Sequence, residues 1–304
     1  MLSDTFTLPH DGREIFVRRW APEGEARATF QIAHGLGEHS GRHARVAEAL
    51  TSAGYVVYAS DHRGHGPNTP PADLGFFAES GGWRACLDDL HVVANAIDRR
   101  HAGLPQVFFA HSFGSYLGQT LLSERGGRFS AGILSGSNGP PPALLLAIGA
   151  RVAAFERWRL GGRGKSALVQ QLIFGAQNKP FKPARTPFDW LSRDPAEVDK
   201  YVADPLCGFP ISAGAALDLL AGLKTLGSPE LAGRIPKGLP LYIFKGSADP
   251  VAANLDALID VYRRAGLKRV TYKVYPGARH ETLNETNRDE VTGDLLAWLK
   301  ANVV

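Results

Sequence analysis

The stretch Val107–Gly118, VFFAHSFGSYLG, sets one serine between a histidine and a phenylalanine. The apolar run before it reads as a buried strand over Val107–Ala110, and the residues after it read as a helix over Phe113–Glu124. A parallel strand that turns directly into a helix puts the turn residue at the carboxyl edge of its sheet, where open α/β sheets bind ligands. So sharp a turn forces Ser112 to positive φ and leaves no room for bulk two places to either side. The residues there are Ala110 and Gly114, with Ser115 small as well. Alanine at 110 adds one methyl group, which the turn is expected to accommodate. The turn would expose the Ser112 hydroxyl and aim the Phe113 N–H, at a helix start, toward a developing oxyanion. A serine that merely caps a helix after a strand would look the same over these residues.

On either side of this stretch, strands and helices alternate. Strands are expected at Thr5–Leu8 and Glu14–Trp20 around the turn PHDG, then at Ala28–His34, Tyr55–Ser60, Ala131–Gly136, Leu239–Gly246 and Val270–Tyr275. Helical spacing marks Ala44–Ala53, Gly82–His101, Ala253–Ala265 and Glu290–Asn302. This alternation predicts an α/β fold: a mostly parallel central sheet of about eight strands with helices on both faces. From residue 138 to residue 227 only helical and loop patterns occur. That block is expected to be a helical cap, inserted between a first core part (1–137) and a second (228–304).

Composition narrows the function classes. The chain has 304 residues, 44% hydrophobic and 21% charged, which suits a globular core. Its formal charge of +4 comes from scattered basic residues with no aromatic-interleaved stripe, so nucleic acid is not an expected partner. Two cysteines, Cys86 and Cys207, do not make a disulfide scaffold and are expected to be reduced, Cys207 as a buried structural thiol. The polar start, MLSDTFTLPHDGREIF, has no apolar core of a cleaved signal, and a cytoplasmic location is expected.

A serine hydroxyl needs a base, usually a histidine oriented by a carboxylate. In this class of fold the chain order is Ser, Asp or Glu, His. Ten histidines are present, and nine lie at or before His111. His280, in PGARHETLNE after the strand VTYKVY, is therefore the one candidate base beyond Ser112. One strand–helix–strand unit earlier, LYIFKGSADPV ends in Asp249. That aspartate could orient the histidine, cap the following helix before Pro250, or do both. A second oxyanion donor is expected from the loop AHGLGEHSGRH after an earlier strand, with the Leu36 N–H as the choice and His34 bracing the loop.

These segments, HGLGEHSGRH, DHRGHG, AHSFGS, GSADPV and GARHE, resemble the motif series of the α/β-hydrolases of the monoacylglycerol lipase and lysophospholipase type, a group also filed with serine aminopeptidase-like hydrolases. The resemblance spans nearly the whole chain. It implies Ser112 as nucleophile, Asp249 and His280 as its partners, and Leu36 and Phe113 as oxyanion donors, with no cofactor. The substrate it implies is a small-molecule acyl ester such as a monoacylglycerol. Members usually read GHSMGG at the elbow, so Ala110, Phe113 and Ser115 depart from the pattern, and the Phe113 ring is expected to bear on the acyl pocket. Rival readings are a serine aminopeptidase, an acyltransferase on the same triad, and a non-catalytic binding protein on this fold. For an aminopeptidase, Glu156, Asp189, Asp194 or Glu197 would have to hold the substrate's ammonium.

Two further features bear on function. His34, His39, His43, His62 and His65 crowd one region, but their spacing fits no zinc motif, so no metal is expected; DHRGHG is expected to shape a loop by local hydrogen bonds of Asp61 and Arg63. The segment Pro141–Phe155, PPALLLAIGARVAAF, is apolar on nearly every face and too short to span a bilayer. It is expected to be a buried cap helix, the alternative being a lid that meets an acyl chain or makes transient contact with a lipid surface.

Overall fold

A computed structural model describes residues 1–303. Eight strands form one sheet in the order β1-β2-β4-β3-β5-β6-β7-β8. The strands are β1 (Leu2–His10), β2 (Arg13–Ala21), β3 (Ala28–Ala33), β4 (Tyr55–Ser60), β5 (Gln106–His111), β6 (Ala131–Ser135), β7 (Leu241–Gly246) and β8 (Val270–Tyr275). The pairs β1–β2 and β2–β4 are antiparallel, and the rest of the sheet is parallel. The first hairpin is longer than its apolar pattern suggests. Its register runs without a break from Leu2 opposite Ala21 to His10 opposite Arg13, closed by Asp11 and Gly12 at positive φ.

The central strands β3, β4, β5 and β6 are buried along their whole length. Their continuous apolar character is what helices on both faces require. One core layer packs Phe108, Leu117, Leu134 and Ile243 under α2 (Gly82–Arg100) and α3 (Phe113–Arg125). The opposite layer packs Phe30, Phe109, Phe244 and Tyr275 against α1 (Ala44–Ser52) and α10 (Arg288–Asn302). Between β6 and β7 the chain leaves the sheet and forms α4 (Ala143–Leu160), α5 (Ala167–Phe174), α6 (Pro195–Ala203), α7 (Ala213–Leu223) and α8 (Pro229–Arg234). Of these, α4, α5, α6 and α7 lend residues to a cavity at the carboxyl edge of the sheet, while α8 packs on α3 and α9 (Leu255–Arg264).

Helix α4 corrects one expectation. It is not buried all round: Leu146, Gly149 and Ala153 face inward, while Leu144, Ile148, Phe155 and Trp158 are exposed. Both faces are apolar, so the sequence pattern could not tell inside from outside. Among the described residues no helix is long and apolar enough to cross a membrane. Both cysteines are free; Cys86 is buried, whereas Cys207 is only half-buried, less so than expected.

Candidate active site

The loops at the carboxyl ends of β3, β5, β7 and β8 converge on one cavity of about 440 Å³, the size of a small-molecule site. Ser112 follows β5 directly and adopts φ 50°, ψ −119°. It is one of two non-glycine residues at positive φ among the described residues. Small neighbours permit this. A side chain at Gly114 would come within 2.3 Å of the Ala33 carbonyl oxygen and 2.5 Å of the His34 carbonyl oxygen. Ser115 fits because its hydroxyl turns back to donate to the Ser112 carbonyl at 2.6 Å. The Ala110 methyl is accommodated by Gly118 on α3, where an added Cβ would lie 3.3 Å from it. The Phe113 ring is buried, stacked on Phe77 and set edge-on to His62 and Trp83. It packs into the wall behind the turn, and Phe113 is among the residues that line the cavity.

His280 and Asp249 meet as the strand-end reading expects. His280 Nδ1 lies 2.9 Å from Asp249 Oδ2. The other carboxylate oxygen accepts from the N–H groups of Val251, at 2.8 Å, and Ala252, at 3.3 Å, so Asp249 orients a histidine and caps a turn at once. Burial opposes both charges, yet each partner outweighs it: Asp249 is held below the usual carboxylate range and His280 is raised above the ordinary imidazole value. With its Nδ1–H donated to Asp249, His280 presents the lone pair of Nε2. That nitrogen is buried without a hydrogen-bond partner, and its side chain lines the same cavity as Ser112. The ring rests on the end of β6, 2.9 Å from where a Cβ on Gly136 would stand. It packs between His111, at a centroid distance of 4.8 Å, and Trp190, at 5.1 Å.

An account of backbone donors singles out the other two expected residues. Ser112 N–H donates to the Ser135 carbonyl and Gly114 N–H to the His34 carbonyl. Gly35 N–H donates to Glu38 Oε1 at 2.6 Å, and Gly37 N–H to His65 Nε2 at 3.1 Å. Between these paired neighbours, the N–H groups of Leu36 and Phe113 have no acceptor among the described residues. Gly35 brings its loop within 3.3 Å of Ser112 Cβ, measured from the Cβ it lacks, and Leu36, Ser112 and Phe113 line the same cavity.

The histidine cluster is structural. His34 Nδ1 lies 2.7 Å from the Gly35 carbonyl oxygen while Nε2 accepts the His62 N–H at 3.0 Å; His62 Nε2 returns to the His34 carbonyl. His65 Nδ1 binds the Arg63 carbonyl, and burial, aided by His62, pushes its imidazole down to about 3. Five of the six ring nitrogens of His34, His62 and His65 are thus already used by the loops, His62 Nδ1 being the exception. Neither expected bond is local: Asp61 accepts from the Ser40 N–H, 21 residues away, and Arg63 forms a two-pronged pair with Asp89, 26 residues away. His39, Asp204 and Cys207 do bring three ligand atoms within 4.8 Å of one another. Yet His39 Nδ1 accepts from Gly41 N–H, which leaves the proton on Nε2, donated to Asp204 at 2.9 Å. A metal on Nε2 would need that proton on Nδ1, facing another donor.

Sequence reading missed a buried ion network beneath the site. Arg42 donates to Glu38 Oε2 at 3.0 Å and to both oxygens of Glu281 at 2.5 and 2.7 Å. Glu38 holds the Leu36 loop and Glu281 follows His280, so one guanidinium fixes two site loops together. Burial disfavours the Glu38 charge, but His43 and Arg42 outweigh it and hold the carboxyl well below its usual range. The signal was the spacing of Glu38 and Arg42, four residues apart, and a second acid next to the candidate base. A segment after α5 adds two more contacts: the Trp190 and Leu191 carbonyls accept the N–H groups of His280, at 3.4 Å, and Glu281, at 2.8 Å.

The family model for serine aminopeptidase, S33, of the Hydrolase_4 group, matches residues 24–287. The chain belongs to this α/β-hydrolase family. This α/β-hydrolase is 30% identical to a monoacylglycerol lipase of Mycolicibacterium smegmatis, over 96% of its own length and 95% of the relative's. It is 29% identical to the monoglyceride lipase of Homo sapiens, over 90% and 83% of the two chains. Its fold is similar to the crystal structure of a highly thermostable carboxyl esterase from Bacillus coagulans in complex with glycerol, with a TM-score of 0.92, 26% identity and full coverage of both chains.

Proposed function

We propose that this carboxylic ester hydrolase is a monoacylglycerol lipase-like esterase that works through an acyl-enzyme on Ser112. The observation that carries the reading is the buried, unpartnered Nε2 of His280 lining the cavity that the positive-φ Ser112 also lines. In the first step His280 Nε2 takes the proton of the Ser112 hydroxyl as its oxygen attacks the ester carbonyl. Asp249 keeps the imidazole in the right tautomer and stabilises its cation. The N–H groups of Leu36 and Phe113 hold the tetrahedral oxyanion. His280 then gives the proton to the departing alcohol as the C–O bond breaks, and water repeats the sequence to release the acid. We take residues 138–227 as the cap that covers this site.

Cavity chemistry favours an uncharged acyl ester. Leu145, Leu146, Ile148, Leu172, Leu219 and Leu220 line the cap side. An aminopeptidase would need a free acid there. Glu156 is paired with Arg159, Asp194 with Arg288 and Glu197 with Arg45, and Asp189 is bonded to Thr186. Of the cavity's own acids, Glu38 and Glu281 both belong to Arg42. The test is a fluorophosphonate label located by mass spectrometry, run beside a panel of p-nitrophenyl esters of graded acyl length and aminoacyl p-nitroanilides. Labelling at Ser112 with ester turnover that rises with acyl length is expected. Anilide cleavage without ester cleavage would overturn the substrate reading, and an unlabelled Ser112 would overturn the mechanism.

A further inference from the structure

The cavity at Ser112 straddles two apolar clusters. Trp190, Leu191 and Tyr201 belong to one. Leu146, Leu219, Leu220 and Tyr116 belong to the other. His280 packs on Trp190, and in the proposed reaction it hands its proton to the departing alcohol. The alcohol therefore lies on the first side and the acyl chain on the second.

Tyr116 breaks the apolar character of that second side. Its N–H donates to the Ser112 carbonyl, so it stands one turn of α3 beyond the serine. The residue is only 9% exposed and lines the cavity. Its hydroxyl has no hydrogen-bond partner among the described residues, yet it is not sealed in the core as those of Tyr55 and Tyr262 are. Tyr201, across the cavity, differs: its hydroxyl donates to the Gly37 carbonyl at 2.7 Å. Burial pushes the Tyr116 phenol up, so it stays a neutral O–H. A second unmatched group stands on the same wall. Asn138 Oδ1 accepts the N–H groups of Gly139, at 3.0 Å, and Asn254, at 2.9 Å, which fixes the carboxamide and leaves Nδ2 without a partner among the described residues. Gln119, three residues after Tyr116 on the same helix face, donates to the Asn138 carbonyl at 2.9 Å and ties the two groups together.

A plain hydrocarbon chain would strip water from both groups and return no hydrogen bond, whereas an oxygen on the chain would satisfy them. We propose that the Tyr116 hydroxyl and the Asn138 carboxamide form a hydrogen-bonding station for an oxygen carried on the acyl chain, which makes esters of hydroxy acids the preferred substrates. The inference rests on the acyl-ester reading of the cavity.

The test compares p-nitrophenyl decanoate with p-nitrophenyl hydroxydecanoates that carry the hydroxyl near the carboxyl group, at mid-chain or at the far end. For the parent protein, kcat/KM for one isomer should exceed that for plain decanoate about tenfold, the effect of one satisfied buried hydrogen bond. In Tyr116→Phe that ratio should fall to unity, with plain decanoate gaining and the hydroxy ester losing. Each ratio is taken within one protein, so a variant that folds less completely does not alter it. No preference for any isomer in the parent, or a preference that survives in Tyr116→Phe, would overturn the proposal. So would a variant that changes selectivity between glyceryl and methyl decanoate while leaving the acyl ratio alone, since the phenol would then face the alcohol. Failure of the parent to turn over any ester, p-nitrophenyl butyrate included, would instead overturn the hydrolase reading.

Discussion

Under the sheet edge, Arg42 is buried between two carboxylates; on the outer face of α4, Arg151 stands among apolar side chains that lie open. Arg42 meets Glu38 and Glu281 within 3.0 Å, in a region where an unpaired ion would cost several kcal/mol. Arg151 and Lys165 form no ion pair among the described residues. The first region is a packed interior, the second an apolar face open to solvent. The difference separates residues whose loss should damage the molecule from residues whose loss should change only what it touches.

Five expectations probe that contrast. Ser112→Ala should lower kcat by about 10⁶-fold with the fold intact, measured by ester turnover beside circular dichroism. Asp249→Asn should lower kcat by about 10⁴-fold, because the imidazole loses the acceptor that sets its tautomer. The parent pH profile belongs to the same test. His280 must be neutral to act as base and its pKa is raised, so kcat/KM should fall as pH drops, with a midpoint above 6.5. In Asp249→Asn that acid limb should move to lower pH.

Arg42→Met leaves two carboxylates buried without their cation. It should destabilise the protein by about 3–5 kcal/mol in urea unfolding, and weaken turnover as the Leu36 loop and the His280 loop separate. Gly114→Ala drives a methyl group into two carbonyl oxygens and should cost about 3 kcal/mol by the same measurement. The smallest effect belongs to the outer face of α4. Trp158→Ser should shift stability by no more than about 0.5 kcal/mol, although tryptophan is the largest side chain in the set. A larger shift would mean that the stripe is packed in the free protein, and the two regions would then be of one kind.

What was legible in the sequence follows physical locality. The Ser112 turn could be read because its requirements, a strand, small neighbours and a helix, lie within twelve consecutive residues. His280 could be read because chain order and a near absence of competing histidines left one candidate. Asp249 could be read because its capping role and its orienting role ask for the same residue at the same strand end. Of the Arg42 network only the Glu38 half, four residues away, left a trace in the sequence; Glu281 lies 239 residues from Arg42 and looks like an ordinary surface charge. Nor could the orientation of α4, because an apolar residue carries the same letter whether it faces a core or water. The β1–β2 hairpin ran longer than its pattern because an antiparallel edge is held by backbone pairing even where its side chains are exposed.

The two backbone bonds from residues 190 and 191 to the loop of His280 have a practical consequence. The insertion is stitched to the very turn that carries the imidazole. Anyone grafting this insertion onto another member of the family, or trimming it, must transplant that stitch as well; otherwise the graft will disturb the cavity and the seat of the His280 imidazole in one stroke.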